Sequence, residues 1–189
     1  MGIAVSSCWR GAAHSILNEY FESLCAAMKM LSDDGTIFVG QTVLSPGTAM
    51  HSTFRDVPAE QRLEFPVAEN MQLGFATGIA MAGGKVCTCY PRINFFLEAL
   101  PQLIQHLDKI PLFSDYRPRV IIRTSIATTN PLDPGPQHIG DYTDGIEKML
   151  STVKVVRLTD HEMIVPEYRA AMERDGSTLL VEWVEKYHQ

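Results

Sequence analysis

The chain has 189 residues, enough for one domain of ordinary size with a substantial buried core. Hydrophobic residues make up 46% and charged residues 20%, a globular rather than a disordered balance. The net charge of −6 argues against a chain built to grip nucleic-acid phosphates, and no apolar run is long enough to span a bilayer.

The first predicted element is a helix over residues 12–31, with Ile16, Leu17, Tyr20, Phe21, Leu24, Ala27, Met28 and Leu31 at helical spacing. Ser32-Asp33-Asp34-Gly35 ends it. Residues 36–39 read as a buried strand. Residues 40–62 read as a long polar loop with a short helix after Pro58; such a loop in a small domain is usually functional. A short strand over 63–65 precedes a helix over 68–82, rich in small residues and expected to be mostly buried. Gly83-Gly84 ends that helix, and a strand over 85–89 follows. Residues 93–107 are amphipathic, with Pro101 marking a kink or a second start. A β-branched run over 119–123 is a central-strand candidate, followed by a second polar loop over 124–142. A helix over 144–150, a strand over 154–157, a helix over 162–174 and a strand over 178–182 complete the pattern. This alternation predicts an α/β fold: a largely parallel sheet with helices on both faces, forming a single domain over 1–189. Both long loops leave carboxyl ends of strands, where such sheets bind ligands.

The N-terminus has no basic segment followed by an apolar core, so no secretory signal is read and a cytoplasmic location is expected. Met1-Gly2 with Ser6 matches the loose myristoylation pattern, which six residues meet by chance. Cys8, Cys25, Cys87 and Cys89 form neither a disulfide framework nor a zinc pattern; Cys87 and Cys89 read as small buried strand residues. No metal ligand set is expected within this chain.

Pro66-Val67-Ala68-Glu69-Asn70 is the most informative segment. A carboxylate follows a strand and opens an otherwise apolar helix. Taken alone, Glu69 is a helix N-terminal carboxylate stabilised by the macrodipole, by roughly 0.3–1 kcal/mol. A carboxylate at a buried helix end needs a specific partner, however. His138 lies in a Pro- and Gly-rich loop, which in isolation reads as surface; His51, in the other loop, reads the same way, and His14, His106 and His188 have no informative context.

Phe65-Pro66-Val67-Ala68-Glu69 and Gly74-Phe75-Ala76-Thr77-Gly78-Ile79-Ala80-Met81-Ala82-Gly83 resemble the pyrimidine-binding domain of thiamine diphosphate enzymes. The likeness is nearest to beta subunits of 2-oxo-acid dehydrogenases, then to transketolases and deoxyxylulose-phosphate synthases. Ile37-Phe38-Val39-Gly40, Val120-Ile121-Ile122-Arg123-Thr124, Gly135-Pro136-Gln137-His138, Lys154-Val155-Val156 and Leu179-Leu180-Val181-Glu182 agree with it in order. The resemblance implies the thiamine diphosphate-binding fold and a role for Glu69 in activating the cofactor. A glutamate in that position bonds the aminopyrimidine ring nitrogen para to the amino-bearing carbon and favours the imino tautomer, whose imino nitrogen can take the thiazolium proton. It also implies a substrate contact or proton transfer for His138. An aromatic ring against the pyrimidine is expected near Tyr90-Pro91-Arg92-Ile93-Asn94-Phe95-Phe96, where Tyr90, Arg92 or Phe95 could hold the position. Arg92 could instead bind an anionic substrate group. At least one of Phe95 and Phe96 reads as helix core.

The family's Gly-Asp-Gly segment, with its following asparagine, is missing; Gly140-Asp141-Tyr142 and Asp144-Gly145 do not supply it, and the family's last domain is not found either. The expectation is therefore a subunit of a split enzyme acting on a 2-oxo acid or ketose, by decarboxylation or two-carbon transfer. A separate subunit would supply the diphosphate site and Mg2+, in an α2β2 heterotetramer. The alternatives are a catalytically inactive regulatory or scaffolding relative of the same fold, and an unrelated doubly wound domain.

Overall fold

The computed structural model describes residues 18–130 and 132–188. Cys8, His14, the myristoylation-like pattern and the start of the first predicted helix lie outside them. Six strands form one all-parallel sheet in the order β2-β1-β3-β4-β6-β5. They are β1 (Ile37–Gly40), β2 (Arg62–Glu64), β3 (Val86–Tyr90), β4 (Val120–Ile126), β5 (Lys154–Arg157) and β6 (Thr178–Trp183). Period-two alternation sends Phe38, Cys87, Cys89, Ile121 and Leu180 to one face, and Val39, Val86, Tyr90, Ile122 and Leu179 to the other.

Helices cover both faces, as the alternating pattern predicts. On the first, α1 (Glu19–Asp33) packs beside α8 (His161–Glu173), through Leu24, Met28, Leu31, Ile164 and Tyr168. Asn18 caps α1 by accepting the Phe21 amide at 2.9 Å, and Asp160 caps α8 by accepting the Glu162 amide. On the second face lie α3 (Glu69–Met81) and the segment that follows β3. Cys87 and Cys89 are fully buried, their sulfurs 3.9 Å apart, and burial pushes the Cys87 thiol well up; they are core residues.

Two expectations change and one is met. The one met is the break at Pro101: residues 93–107 do not form one helix. They divide into α4 (Ile93–Phe96), a 3-10 turn at Leu97–Ala99, α5 (Leu100–Gln102) and a π-helical segment Leu103–Leu107, before α6 (Ile110–Phe113). Pro101 has no N–H to extend the preceding ladder, so the helix restarts there. The apolar pattern still marks the inner side: Ile93, Phe96, Ala99, Leu103 and Leu107 are buried. Of the two that change, the first concerns α3, which is not mostly buried. Glu69, Gln72, Leu73, Ala76 and Thr77 face the sheet, whereas Val67 just before it, Met71, Phe75 and Met81 are 80%, 56%, 44% and 41% exposed. Secondly, β4 runs to Ile126 rather than stopping at Arg123, because Thr124 and Ser125 are buried, with Ser125 Oγ donating to the Pro91 carbonyl at 2.6 Å. The first long loop holds α2 (Ala49–Ser52) and a 3-10 turn Ala59–Gln61 after Pro58. The remaining helix, α7, spans Thr143–Lys148.

Two buried charged groups fix the connections. Arg123 and Glu182 are both fully buried and paired in a fork: Nε donates to Oε1 at 2.7 Å and Nη2 to Oε2 at 3.0 Å. Nη1 donates to Thr53 Oγ1 at 2.8 Å, and the guanidinium lies over the Phe54 ring. Tyr168 and Tyr187 donate their hydroxyls to Glu182. Burial opposes the Arg123 charge, but Glu182 outweighs it and holds the guanidinium protonated; burial, then Glu182, push both phenols well up. Glu182→Gln, which leaves a buried cation uncompensated, is expected to cost about 3–5 kcal/mol in urea unfolding, whereas Arg123→Met with Glu182→Leu is expected to cost less than the two single changes summed.

Asp108 is the second group. Its fully buried carboxylate accepts the Ser151, Thr152 and Val153 amides at 2.7–3.0 Å and the Lys109 ammonium at 2.7 Å, tying the end of the π-helical segment to the approach of β5. Burial pushes this carboxyl up, but the Lys109 and amide hydrogen bonds prevail and bring it down to about 2 from 3.8. A lowered folded value means stability that is present above pH 3.8 and lost as pH falls through 2. Asp108→Asn should therefore be less stable than wild type at pH 6, by about 2 kcal/mol from this group's titration, with the gap closing between pH 4 and 2 in parallel denaturation series.

Candidate active site

The chain runs from β1 out to edge strand β2, then returns to the other side of β1 for β3. Strand order reverses there, and the carboxyl ends of β1 and β3 flank the position at which such sheets generally form a ligand crevice. Gly40 closes β1. A Cβ on it would sit 2.2 Å from the Cys89 carbonyl oxygen, so only glycine lets the two strands approach this closely.

Helix α3 begins beside this position. Its cap residue, Ala68, has no capping side chain, and Glu69 is the first helical residue, 7% exposed. The helix dipole favours its negative charge. Gln41, directly after Gly40, donates Nε2 to Glu69 Oε1 at 2.9 Å. No donor among the described residues reaches Oε2, and no cation among them pairs with this carboxylate. The first turn is bolted to β3: Tyr90 donates its hydroxyl to the Glu69 carbonyl at 3.3 Å, and the fully buried Gln72 donates Nε2 to Thr88 Oγ1 at 2.8 Å and the Cys89 carbonyl at 3.1 Å. Glu69 thus has a fixed backbone, one oxygen held by an uncharged donor, and one available to a ligand.

The other expected residues separate. Tyr90 is fully buried, its ring packed 4.9 Å from Phe96, so it has no open face for a cofactor ring; its part is to hold Glu69. Burial raises its phenol well beyond the ordinary value. Phe96 is core, and Phe95 is half-buried at the rim. Its ring meets the His138 ring edge-on, with centroids 5.4 Å apart. His138 ends a 3-10 turn, Pro136–His138, that follows Gly135, and its Nδ1 is buried without a partner. Arg92 and Phe95 share a cavity of about 400 Å³ at the carboxyl ends of β3 and β4, between the 47–50 and 127–134 segments; its lining includes neither Glu69 nor His138. The structure therefore joins Phe95 to His138 and to Arg92, and joins Glu69 to Tyr90 and Gln41. His51 is half-buried, bonded through Nε2 to the Leu44 carbonyl at 3.1 Å, and His106 is exposed. Among the described residues no cluster of three or more His, Cys, Asp or Glu could hold a metal ion, and no helix is long and apolar enough to cross a membrane.

Gln41 and Gln72 escape the sequence reading. Gln72 carried a signal, as a polar residue on the apolar side of its helix; Gln41 carried only its place at a strand end.

No protein-family model and no curated protein matches the sequence. Among solved structures the chain is similar to one described as a split gene transketolase, inactive beta4 tetramer, with a TM-score of 0.66 at 18% identity over 86% of this chain. That likeness is one of fold. It defines the class: an all-parallel α/β fold like that of the transketolase chain. The chain spans 50% of the length of that structure.

Proposed function

We propose that this chain is the pyrimidine-binding subunit of a split thiamine diphosphate enzyme acting on a 2-oxo acid or ketose, completed by a separate subunit that holds the diphosphate and Mg2+. The observation that carries this reading is Glu69, buried at the switch point with Oε1 held by Gln41 and Oε2 without a protein donor. That donor set fits an aminopyrimidine: one carboxylate oxygen is held by the protein and the other is open to accept from a protonated ring nitrogen. The cofactor, when bound, supplies an electron sink for the carbanion that decarboxylation or carbon–carbon cleavage leaves.

Each residue then has a task. Glu69 accepts and returns a proton at the ring nitrogen. Gln41 orients the carboxylate without competing for that proton, since an amide does not titrate near neutral pH. Phe95 offers a ring face at the rim, His138 stands against its edge, and Arg92 provides a cation for an acidic substrate group. Cofactor and substrate reach these groups from a surface that a second chain closes.

The exposed face of α3 supports that second chain. Val67, Met71, Phe75 and Gly78 recur at helical spacing on the side away from the sheet, and exposed Leu63 lies on the neighbouring edge strand. The solved neighbour's own description, a split-gene enzyme with β chains in an inactive tetramer, is a precedent for a β chain that assembles without activity. The assembly proposed here is α2β2. Met71→Glu with Phe75→Glu is expected to leave the isolated chain folded by circular dichroism and to abolish assembly in sedimentation; unchanged association would remove this face from the interface.

Glu69→Gln tests the chemistry. It keeps the size and packing of Glu69 but removes the proton acceptor. In the reconstituted complex, assembly should persist and turnover should fall by at least about 100-fold. Exchange of the thiazolium proton with deuterium should slow in parallel. Equal exchange rates in wild type and variant would return Glu69 to a helix-end role and favour the non-catalytic relative. The chain alone should bind thiamine diphosphate weakly by calorimetry and turn nothing over.

A further inference from the structure

At the opposite end of the sheet, the amino ends of β1, β3 and β4 roof a second cavity of about 310 Å³. Gly83-Gly84 places its rim: Gly83 has φ +84°, and a Cβ on Gly84 would come within 2.7 Å of Ile79 Cγ2, so two glycines are needed for the abrupt turn from α3 into β3. That turn delivers Lys85 to the cavity edge, beside Arg117 and Arg119 at the entry to β4. Three cations thus converge on one cavity in a chain of net charge −6.

Their compensation is partial. Lys85 is answered by Asp34, through Oδ1 at 2.7 Å and the carbonyl at 3.0 Å. Arg119 has only Asp175, at 3.9 Å, with both side chains more than half exposed, a pair too loose and too wet to hold the guanidinium in place. Arg117 spends one nitrogen, Nη1, on the Ser114 and Tyr116 carbonyls of its own loop, and no carboxylate among the described residues pairs with it. Two guanidinium groups therefore face the cavity with unspent donor capacity, and guanidinium forks match the geometry of phosphate oxygens. Behind them the wall is apolar, with Val86, Ile121 and Ala171 buried. The volume exceeds what a bare oxyanion fills and stands at the lower end for small-molecule sites.

We propose that this cavity is a second ligand site, taking a small phosphate monoester: the phosphoryl group on Arg117 and Arg119 at the mouth, the carbon body against Ile121 and Ala171, which share one face of the sheet. It uses no residue of the carboxyl-end rim, so it stands or falls independently of the proposed catalytic role.

Amide NMR of the full chain, titrated with inorganic phosphate and with phenyl phosphate against sodium chloride at matched ionic strength, tests it. Saturable shifts are expected at Gly83, Gly84, Lys85 and Arg119 with both phosphates. Phenyl phosphate should bind more tightly, and Arg117→Gln with Arg119→Gln should weaken both by about tenfold or more without changing the thermal midpoint. The proposal is overturned by shifts that do not saturate, shifts that chloride reproduces, phenyl phosphate saturating only the rim near Phe95, or affinity that survives the double substitution.

Discussion

Placing Arg123 and Glu182 in the interior of a parallel sheet is costly unless their polar atoms find partners, and here each guanidinium nitrogen and both carboxylate oxygens do. The requirement reaches well beyond the pair. Meeting it fixes Thr53 just after α2 within the first long loop, Tyr168 in the middle of α8 and Tyr187 in the closing 3-10 turn Val184–His188. Tyr20 extends the same region, accepting the Trp183 amide and donating to the Leu158 carbonyl. One buried ion pair thus sets where α1, α8 and the C-terminal turn meet the sheet. It also fixes the rim, since the cavity beside Arg92 is lined by Met50 and Tyr187, residues held by this network. Apolar contacts could supply equal stability, but they would not specify these positions as sharply.

The start of α3 obeys the same logic with weaker bonds. A helix opening on alanine has no side-chain cap, so its first turn must be secured otherwise. Tyr90 and Gln72 do this from beneath, and Gly40 allows β1 close enough for Gln41 to reach Glu69. Each polar atom that fixes the turn belongs to a neutral group. No cation among the described residues therefore competes for the carboxylate.

How much of this was legible depends on whether the cause is local. The α/β alternation, the strand positions and Glu69 opening a small-residue helix are local patterns, and the structure follows them to within a few residues. The Arg123–Glu182 pair joins residues 59 apart, and Asp108 meets amides 43 to 45 residues away; neither leaves a periodic trace, and each charged residue reads singly as a strand or helix end. Gln41 reaches Glu69 across 28 residues only because a glycine precedes it. Of Tyr90, Arg92 and Phe95, between which the sequence leaves the ring position open, alternation from Val86 and Thr88 puts Tyr90 on the inner face, where it is fully buried.

The two sides of α3 bear on why a half-site would be built this way. Its inner side is rigid and finished, whereas its outer side, from Val67 through Met71 to Phe75, is apolar and open. Val67, 80% exposed, lies two residues before Glu69. On the proposed reading, a partner that covers Val67 and Met71 would also close over the start of α3, so that hydrophobic association and dehydration of the Glu69 carboxylate would come together. Removing water strengthens the hydrogen bond between a carboxylate and a ring nitrogen, so the isolated chain would hold its functional group in the right place but in the wrong medium. Assembly would supply the medium, and on that reading the apolar face would serve the chemistry as well as joining two chains.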